Sequence, residues 1–490
     1  MTPDTSALPD LPFCDATACA GAIATGDVAS LELLELLAER VDRLNPDLNA
    51  VVTLDLDRAR ELASAADRAT AAGESWGPLH GVPMTVKDVW ETAHVRTTSG
   101  APELAEHVPE TDAVTVARLK RAGAVIFAKT NTPLYAGDDQ TFNDVFGITS
   151  NPWDTSRTPG GSSGGAAAAL AAGLTPLELG SDIGGSIRMP SHLCGTFGLK
   201  PSWGLVPSRG HVPGQPGGLV ETDVNAGGPM ARSVRDLALG LEVLAGPLPE
   251  DAPAWRLELP PAPTIDGLDD LRIAVVVDDD DFPVSSDVRA VIQAAVDRLA
   301  DAGAQVRATS FPVPLVDMFA SWQELVLPIV GSGLPPAVYD EFATMAPLLT
   351  GDDLGSRAAR SLVASYRDHR RADQVRQLQR RAWASFFDGF DIVLAPPLQV
   401  AAFHHDTTGS LPERTLSFDG RTISHLDLNS WCGGIGAMLL PVVSVPVGRT
   451  GSGLPVGVQV IGPYLHDLTV LAAAQTISDA LGGFVPPPGY

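Results

Sequence analysis

The sequence predicts an α/β protein: a single large domain with a mixed, mostly central β-sheet covered by helices on both faces. Three observations lead there. Amphipathic helical stretches alternate with short apolar runs, a glycine often separates the two, and several of the runs are apolar enough for strands buried inside a sheet. The chain has 490 residues, of which 44% are hydrophobic and 19% charged, a composition that buries a large core and argues against disorder.

Taken in order, Leu31, Leu34, Ala38 and Val41 recur at helical spacing after Ser30, and Asn45-Pro46 is expected to end that helix. A second helix is predicted over Asp57 to Ala72, stopped by Gly73, and a short strand over Val82 to Val86 leading into Lys87. Thr111 to Ala122 reads as a helix and AVIFAK, after Gly123, as a buried strand. The rhythm returns in LRIAVVV, VSSDVRAVIQAAVDRLADAG and QVRATSF, and again in DIVLAP, LLPVVSVPVG, PVGVQVIGP and the final helix HDLTVLAAAQTISDAL. Pro207 to Gly228 is rich in turn residues and reads as loop, Leu248 to Pro263 as a surface crossing, and Phe311 to Phe390 as mainly helical.

Charge and cysteine usage exclude several functions. The net charge of −26 repels phosphate backbones and anionic lipid surfaces, so neither nucleic acid nor a membrane is an expected partner. The N-terminal stretch MTPDTSALPDLPFCDATACAGAIATG lacks the basic and apolar regions of a signal peptide, and no window of about 18 apolar residues occurs; a cytoplasmic protein is expected. Cys14, Cys19, Cys194 and Cys432 form no C-x-x-C pair and fit no zinc spacing, so no metal and no cofactor is expected.

Three stretches carry chemistry: GVPMTVKD (Gly81 to Asp88), GGSSGG (Gly160 to Gly165) and GSDIGGSIRMP (Gly180 to Pro190). Acyl transfer needs a nucleophile, a base, and donors aimed at a developing oxyanion. Gly184 and Gly185 let backbone N–H groups approach a substrate without a Cβ in the way, and Ser186 follows on the same turn. His192 lies close in sequence, but Pro190 argues against a regular helix that would present it. Lys87 is the better base: a neutral lysine is required, and the apolar GVPMTV run supplies the burial that lowers an ammonium pKa. GGSSG also matches the G-x-S-x-G nucleophile elbow, but NPWDTSRTP before it is poor strand material, which argues against an α/β-hydrolase.

Together with FAKTNTP, CGTFGLKPSWG, GGPMARSVRDL and LPVGVQVIGP, these motifs resemble the amidase signature family over nearly the whole chain. The resemblance implies one amidase signature domain over residues 1–490. Its catalytic motifs lie at 80–240 and a variable, mainly helical pocket region at about 311–390. It further implies a Ser–cisSer–Lys triad: Ser186 as nucleophile, Ser162 as the bridging serine behind a cis peptide bond, and Lys87 as base. The 24-residue spacing between Ser162 and Ser186 fits the family, whereas Ser163 falls out of step. The implied oxyanion hole is formed by the N–H groups of Ile183, Gly184, Gly185 and Ser186, with Asp182 and Arg188 bracing that loop.

The family's chemistry is hydrolysis of amide C–N bonds through an acyl-enzyme, with aryl, aliphatic and carbamate substrates, and sometimes esters, all within reach of one triad. The expected partner is therefore a small-molecule amide or carbamate. Some relatives are instead amidase subunits of multi-chain amidotransferases. An inactive scaffold is a further alternative, against which the intact lysine and serines argue. Candidate pocket segments are Tyr135 to Phe146, Pro207 to Gly218 and Trp322 to Tyr366, whose apolar residues point to an uncharged substrate. Tyr135, Phe146 and Arg209 are the candidate substrate-binding residues, Arg209 as a donor to a substrate carbonyl. Trp431 and Cys432 are expected at the pocket's far wall, in core packing.

Overall fold

A computed structural model describes residues 11–213, 216–409 and 411–490. The first ten residues, and Gly214 and Gln215 of the predicted Pro207 to Gly218 pocket loop, lie outside the described residues. Eleven strands form one mixed sheet: β1 (Val51–Leu54), β2 (Pro83–Lys87), β3 (Val125–Thr130), β6 (Leu177–Asp182), β7 (Phe197–Lys200), β8 (Ala226–Ala231), β9 (Arg272–Val275), β10 (Gln305–Ala308), β11 (Ile392–Ala395), β14 (Val442–Arg449) and β15 (Pro455–Ile461). Two small hairpins stand apart, β4 (Phe142–Asn143) with β5 (Gly147–Ile148), and β12 (Thr415–Phe418) with β13 (Arg421–Ser424). The sheet order is β1-β3-β2-β6-β8-β7-β14-β15-β11-β9-β10. Its two ends contain the parallel pairs, β2 with β3 and β6 at one end and β9 with β10 and β11 at the other. Antiparallel pairing of β6, β8, β7, β14, β15 and β11 joins them.

This is the single-domain α/β architecture the alternation predicts. Strands β2, β3, β6, β7, β8, β11 and β15 are buried along their whole length, because helices cover the sheet. The edge strand β10 is largely exposed. The predicted helix over Asp57 to Ala72 appears as Leu56–Ala71, that over Thr111 to Ala122 as Val114–Arg121, and the last as Asp467–Leu481. The region from Phe311 to Phe390 is helical, with long helices Leu315–Ser332 and Tyr366–Phe386. Among the described residues no helix is long and apolar enough to cross a membrane.

Prolines mislead in two places. The helix opened by Ser30 continues through Pro46 to Leu48. There the Asn49 N–H bonds to Asn45 C=O, and the Asn45 side chain accepts from the N–H groups of Ala50 and Val51, so the end is closed beyond the proline. Likewise Arg188–Cys194 is a helix in spite of Pro190. Pro190 is its third residue, where an N–H has no intrahelical partner to lose. The loop expected over Pro207 to Gly228 ends earlier, because Ala226, Gly227 and Gly228 already belong to β8.

Candidate active site

Strand β2 ends in Lys87, whose side chain is fully buried. The parallel neighbour β6 pairs Glu178 with Thr85 and Leu179 with Val86, which carries Ser181 up to the level of the lysine. Lys87 Nζ lies 3.1 Å from Ser181 Oγ and 2.6 Å from Ser162 Oγ. Ser162 belongs to the glycine-rich segment that enters the helix Gly164–Ala171, and the Gly161–Ser162 peptide is cis. Its neighbour Ser163 ties this segment to the turn after β6: the Ser163 N–H donates to Ser186 C=O at 3.1 Å, and Ser163 Oγ to Ser181 C=O at 3.3 Å.

After Asp182 the chain leaves the sheet through Ile183–Ile187 and enters the helix Arg188–Cys194. The buried Asp182 carboxylate organises this turn. It accepts from the N–H groups of Gly185 (2.9 Å) and Ile187 (3.1 Å) and takes a two-pronged bond from Arg188 (2.8 and 2.9 Å). Arg188 in turn donates to Gln459 on β15 at 2.8 Å. Burial opposes the charge on Asp182, but Arg188 outweighs it and holds the carboxyl below its usual range. Glycine is required at 184 and 185 by close approach: a Cβ would fall 2.8 Å from the Trp322 ring at Gly184 and 2.6 Å from Cys432 Cβ at Gly185, where φ is also +128°. Ser186 keeps 8% of its surface accessible.

Burial lowers the Lys87 pKa to about 7, with the Asp182 and Glu178 carboxylates pulling the other way. Glu178 is itself pushed up to about 8 by burial, so at neutral pH it is largely protonated and its pull on Lys87 is weak. His211 packs edge-on to Trp90 and is lowered to about 3, chiefly by burial and secondarily by Lys87; it is neutral beside the lysine. The arrangement thus presents an amine that loses its proton near neutral pH, in contact with two hydroxyls and next to a turn with N–H groups to spare. A neutral amine accepts a proton, and a hydroxyl deprotonated beside such N–H donors attacks a carbonyl.

The sequence-predicted residues are distributed as follows. Lys87 and Ser162 are in contact, and Ser186 is tied to Ser163 through its carbonyl. Of the four N–H groups expected at an oxyanion hole, that of Gly185 donates to Asp182, against the expectation, and those of Ile183, Gly184 and Ser186 have no bond to the described residues. Arg209 pairs with Glu250 at 2.6 Å through one end of its guanidinium. Tyr135 donates its hydroxyl to Glu103 at 2.6 Å, and the Phe146 ring lies under the Arg96 guanidinium at 4.9 Å. Trp431 is fully buried and donates to Phe282 C=O, while Cys432 packs on Gly185. His192 is buried with both ring nitrogens bonded to backbone.

Two contributors escaped the sequence reading. Ser181 shares a face of β6 with Leu177 and Leu179, and only the pairing of β6 with β2 brings it to the lysine. Trp322 begins the predicted pocket block, yet its indole N–H reaches Ile183 C=O at 2.8 Å. Among the described residues no cluster of His, Cys, Asp and Glu is suited to hold a metal ion.

Comparison with known proteins agrees with this geometry at the level of family. The family model described as Amidase matches residues 32–471. The chain is 36% identical over 480 residues to the A subunit of glutamyl-tRNA(Gln) amidotransferase from Roseiflexus sp. (strain RS-1), covering 94% of this chain and 95% of that protein. Among solved structures, a bacterial aryl acylamidase of the amidase signature enzymes superposes with a TM-score of 0.79 at 26% identity, covering 96% of each chain. A 6-aminohexanoate cyclic dimer hydrolase, solved with its substrate, gives 0.75 at 26% identity, covering 96% of this chain and 97% of that one. With the family model spanning the motifs and the whole fold shared, the chain belongs to the amidase signature family of enzymes acting on C–N bonds.

Proposed function

We propose that this chain hydrolyses the C–N bond of a small, uncharged amide or carbamate through an acyl-enzyme on Ser186. The observation that carries the reading is the contact of a buried Lys87, whose pKa burial lowers to about 7, with Ser162, on the same turn cluster as Ser186. Lys87 takes a proton from Ser162 as Ser162 takes one from Ser186. Ser186 Oγ then bonds to the substrate carbonyl carbon, and the resulting oxyanion is held by the N–H groups of Ile183, Gly184 and Ser186. The C–N bond breaks as the proton passes back through Ser162 to the departing nitrogen. Water repeats the cycle on the ester and releases the acid, or carbon dioxide and an alcohol from a carbamate.

Support for an uncharged acyl group comes from what surrounds Ile183. Val224, Val326 and Leu439 form a cluster with the half-buried Ile183, Trp203, Trp322 and Tyr464. Beside this cluster Arg376 is paired with Asp223 and Asp373, and Arg380 lies over the Tyr464 ring at 4.5 Å with a bond to Gln377.

A second reading, an amidase subunit that works with partner chains, is favoured by the similarity to the glutamyl-tRNA(Gln) amidotransferase protein over nearly the full length of both chains. Both readings share the Ser186 chemistry. The deciding experiment has two parts. A fluorophosphonate adduct is mapped by mass spectrometry, and the purified chain alone is assayed on anilides, aliphatic amides, carbamates and esters. An adduct on Ser186 and turnover without partners support the stand-alone hydrolase. An adduct with no turnover on any amide shifts the balance to the partner-dependent reading, and an adduct on Ser162 reverses the roles of the serines.

A further inference from the structure

Trp322 stands on the helix Leu315–Ser332, outside the motifs that carry the family resemblance, yet it grips the turn before Ser186. Its indole N–H donates to Ile183 C=O at 2.8 Å. Its ring stacks on Phe319 with centroids 5.5 Å apart and planes 12° off parallel, which fixes the side chain from behind. The same ring lies so close to Gly184 and Gly433 that a Cβ at either would fall 2.8 Å or 3.0 Å from it. The indole is thus held on several sides, with one hydrogen bond aimed at one carbonyl.

That carbonyl belongs to the peptide joining Ile183 to Gly184, which is trans. In a planar trans peptide the C=O and the N–H point in opposite directions. Anchoring Ile183 C=O on the Trp322 side therefore turns the Gly184 N–H to the other side. On the far end of the same turn, Asp182 takes the N–H groups of Gly185 and Ile187 and so fixes the following peptides. The turn is pinned from within by Asp182 and from outside by Trp322. Without the indole N–H, the Ile183 carbonyl has no other hydrogen-bond partner among the described residues, and the Ile183–Gly184 peptide loses the bond that fixes its plane.

We infer that Trp322 is a positioning residue for the oxyanion hole: its hydrogen bond to Ile183 C=O orients the Gly184 N–H toward the developing oxyanion. The inference rests on the acyl-enzyme reading of Ser186. It also assigns a role to a segment that sequence reading treats only as a pocket wall. A donor held in place before reaction stabilises charge that exists only in the transition state, so its loss falls on kcat and not on substrate binding.

The test is Trp322→Phe, which keeps the aromatic stack and removes the N–H. The expected result is a kcat lowered about tenfold or more, with KM within about threefold of wild type. A trifluoromethyl ketone, which forms the tetrahedral adduct, is expected to weaken by a similar factor, while an unreactive amide analogue of the substrate binds as before. Trp322→Tyr repeats the measurement should the Phe variant unfold at the assay temperature. A kcat within twofold of wild type, or a loss confined to KM, overturns the inference and leaves Trp322 as a pocket wall. If the wild-type chain takes no adduct at Ser186, or Ser186→Ala keeps its activity, the acyl-enzyme reading fails first and this one with it.

Discussion

Lys87 Nζ sits 2.6 Å from Ser162 Oγ, and the lysine side chain has no exposed surface. Burial favours the neutral amine, and the neutral amine is the form that accepts a proton. With the pKa lowered to about 7, the base is protonated and inactive below that pH and free above it. The expected pH profile of kcat/KM therefore rises through about pH 7 on a single-proton limb. Lys87→Arg should be inactive at every pH, since a guanidinium cannot give up its proton in this range. A limb centred instead near pH 10 would show that the lysine is not buried enough to serve.

The two hydroxyls on Lys87 are not equivalent. Ser162 is the nearer, and it lies beside the segment bonded to Ser186; Ser181, at 3.1 Å, holds the amine from the strand side. Ser162→Ala breaks the proton route and should lower kcat by about 10³. Ser181→Ala removes an orienting bond only, and about tenfold is expected. Steady-state kinetics of the two variants on one substrate check the order, and a larger loss for Ser181→Ala would reverse the assignment.

The Asp182–Arg188 pair is fully buried, and Asp182 holds the turn through the N–H groups of Gly185 and Ile187. Replacing Arg188 by Met leaves a buried carboxylate without its counter-charge. Denaturant unfolding should report a loss of about 3–5 kcal/mol, the range for breaking a buried pair from one side. The same variant should be nearly inactive, because a protonated or displaced Asp182 no longer fixes Gly185 and Ile187. An unfolding midpoint equal to wild type would mean that the pair braces nothing.

The helices with one apolar face and the long apolar strands were legible in the sequence, because a period of 3.6 or a continuous apolar run survives without tertiary information. Strands β6, β7 and β8 were not. LELGSD, FGLK and AGGPMA are short, glycine-bearing and polar in part, and they are strands because both faces are covered. The Lys87–Ser162 contact was legible through the motifs that carry the family resemblance. Ser181 and Trp322 were not, since one depends on strand register and the other on a helix that meets the turn only in three dimensions. The Arg209–Glu250 pair was not legible for the same reason: Glu250 lies within the proline-rich crossing and leaves no periodic signal.

His192 remains the rival base that sequence proximity suggests, and its hydrogen bonds decide against it. The Gly457 N–H donates to His192 Nδ1 at 2.9 Å, which occupies the imidazole's lone pair. The proton is then on Nε2, where Val400 C=O accepts it at 3.1 Å. Burial lowers the ring's pKa, so it stays neutral at working pH. An imidazole with its acceptor and its donor both committed to backbone cannot take a proton from a serine. His192→Ala should therefore keep the rising limb near pH 7 and a kcat of the wild-type order. It should still lower stability by about 1–3 kcal/mol for each backbone group left unpaired. Loss of the limb in a variant that still folds would move the base from Lys87 to His192.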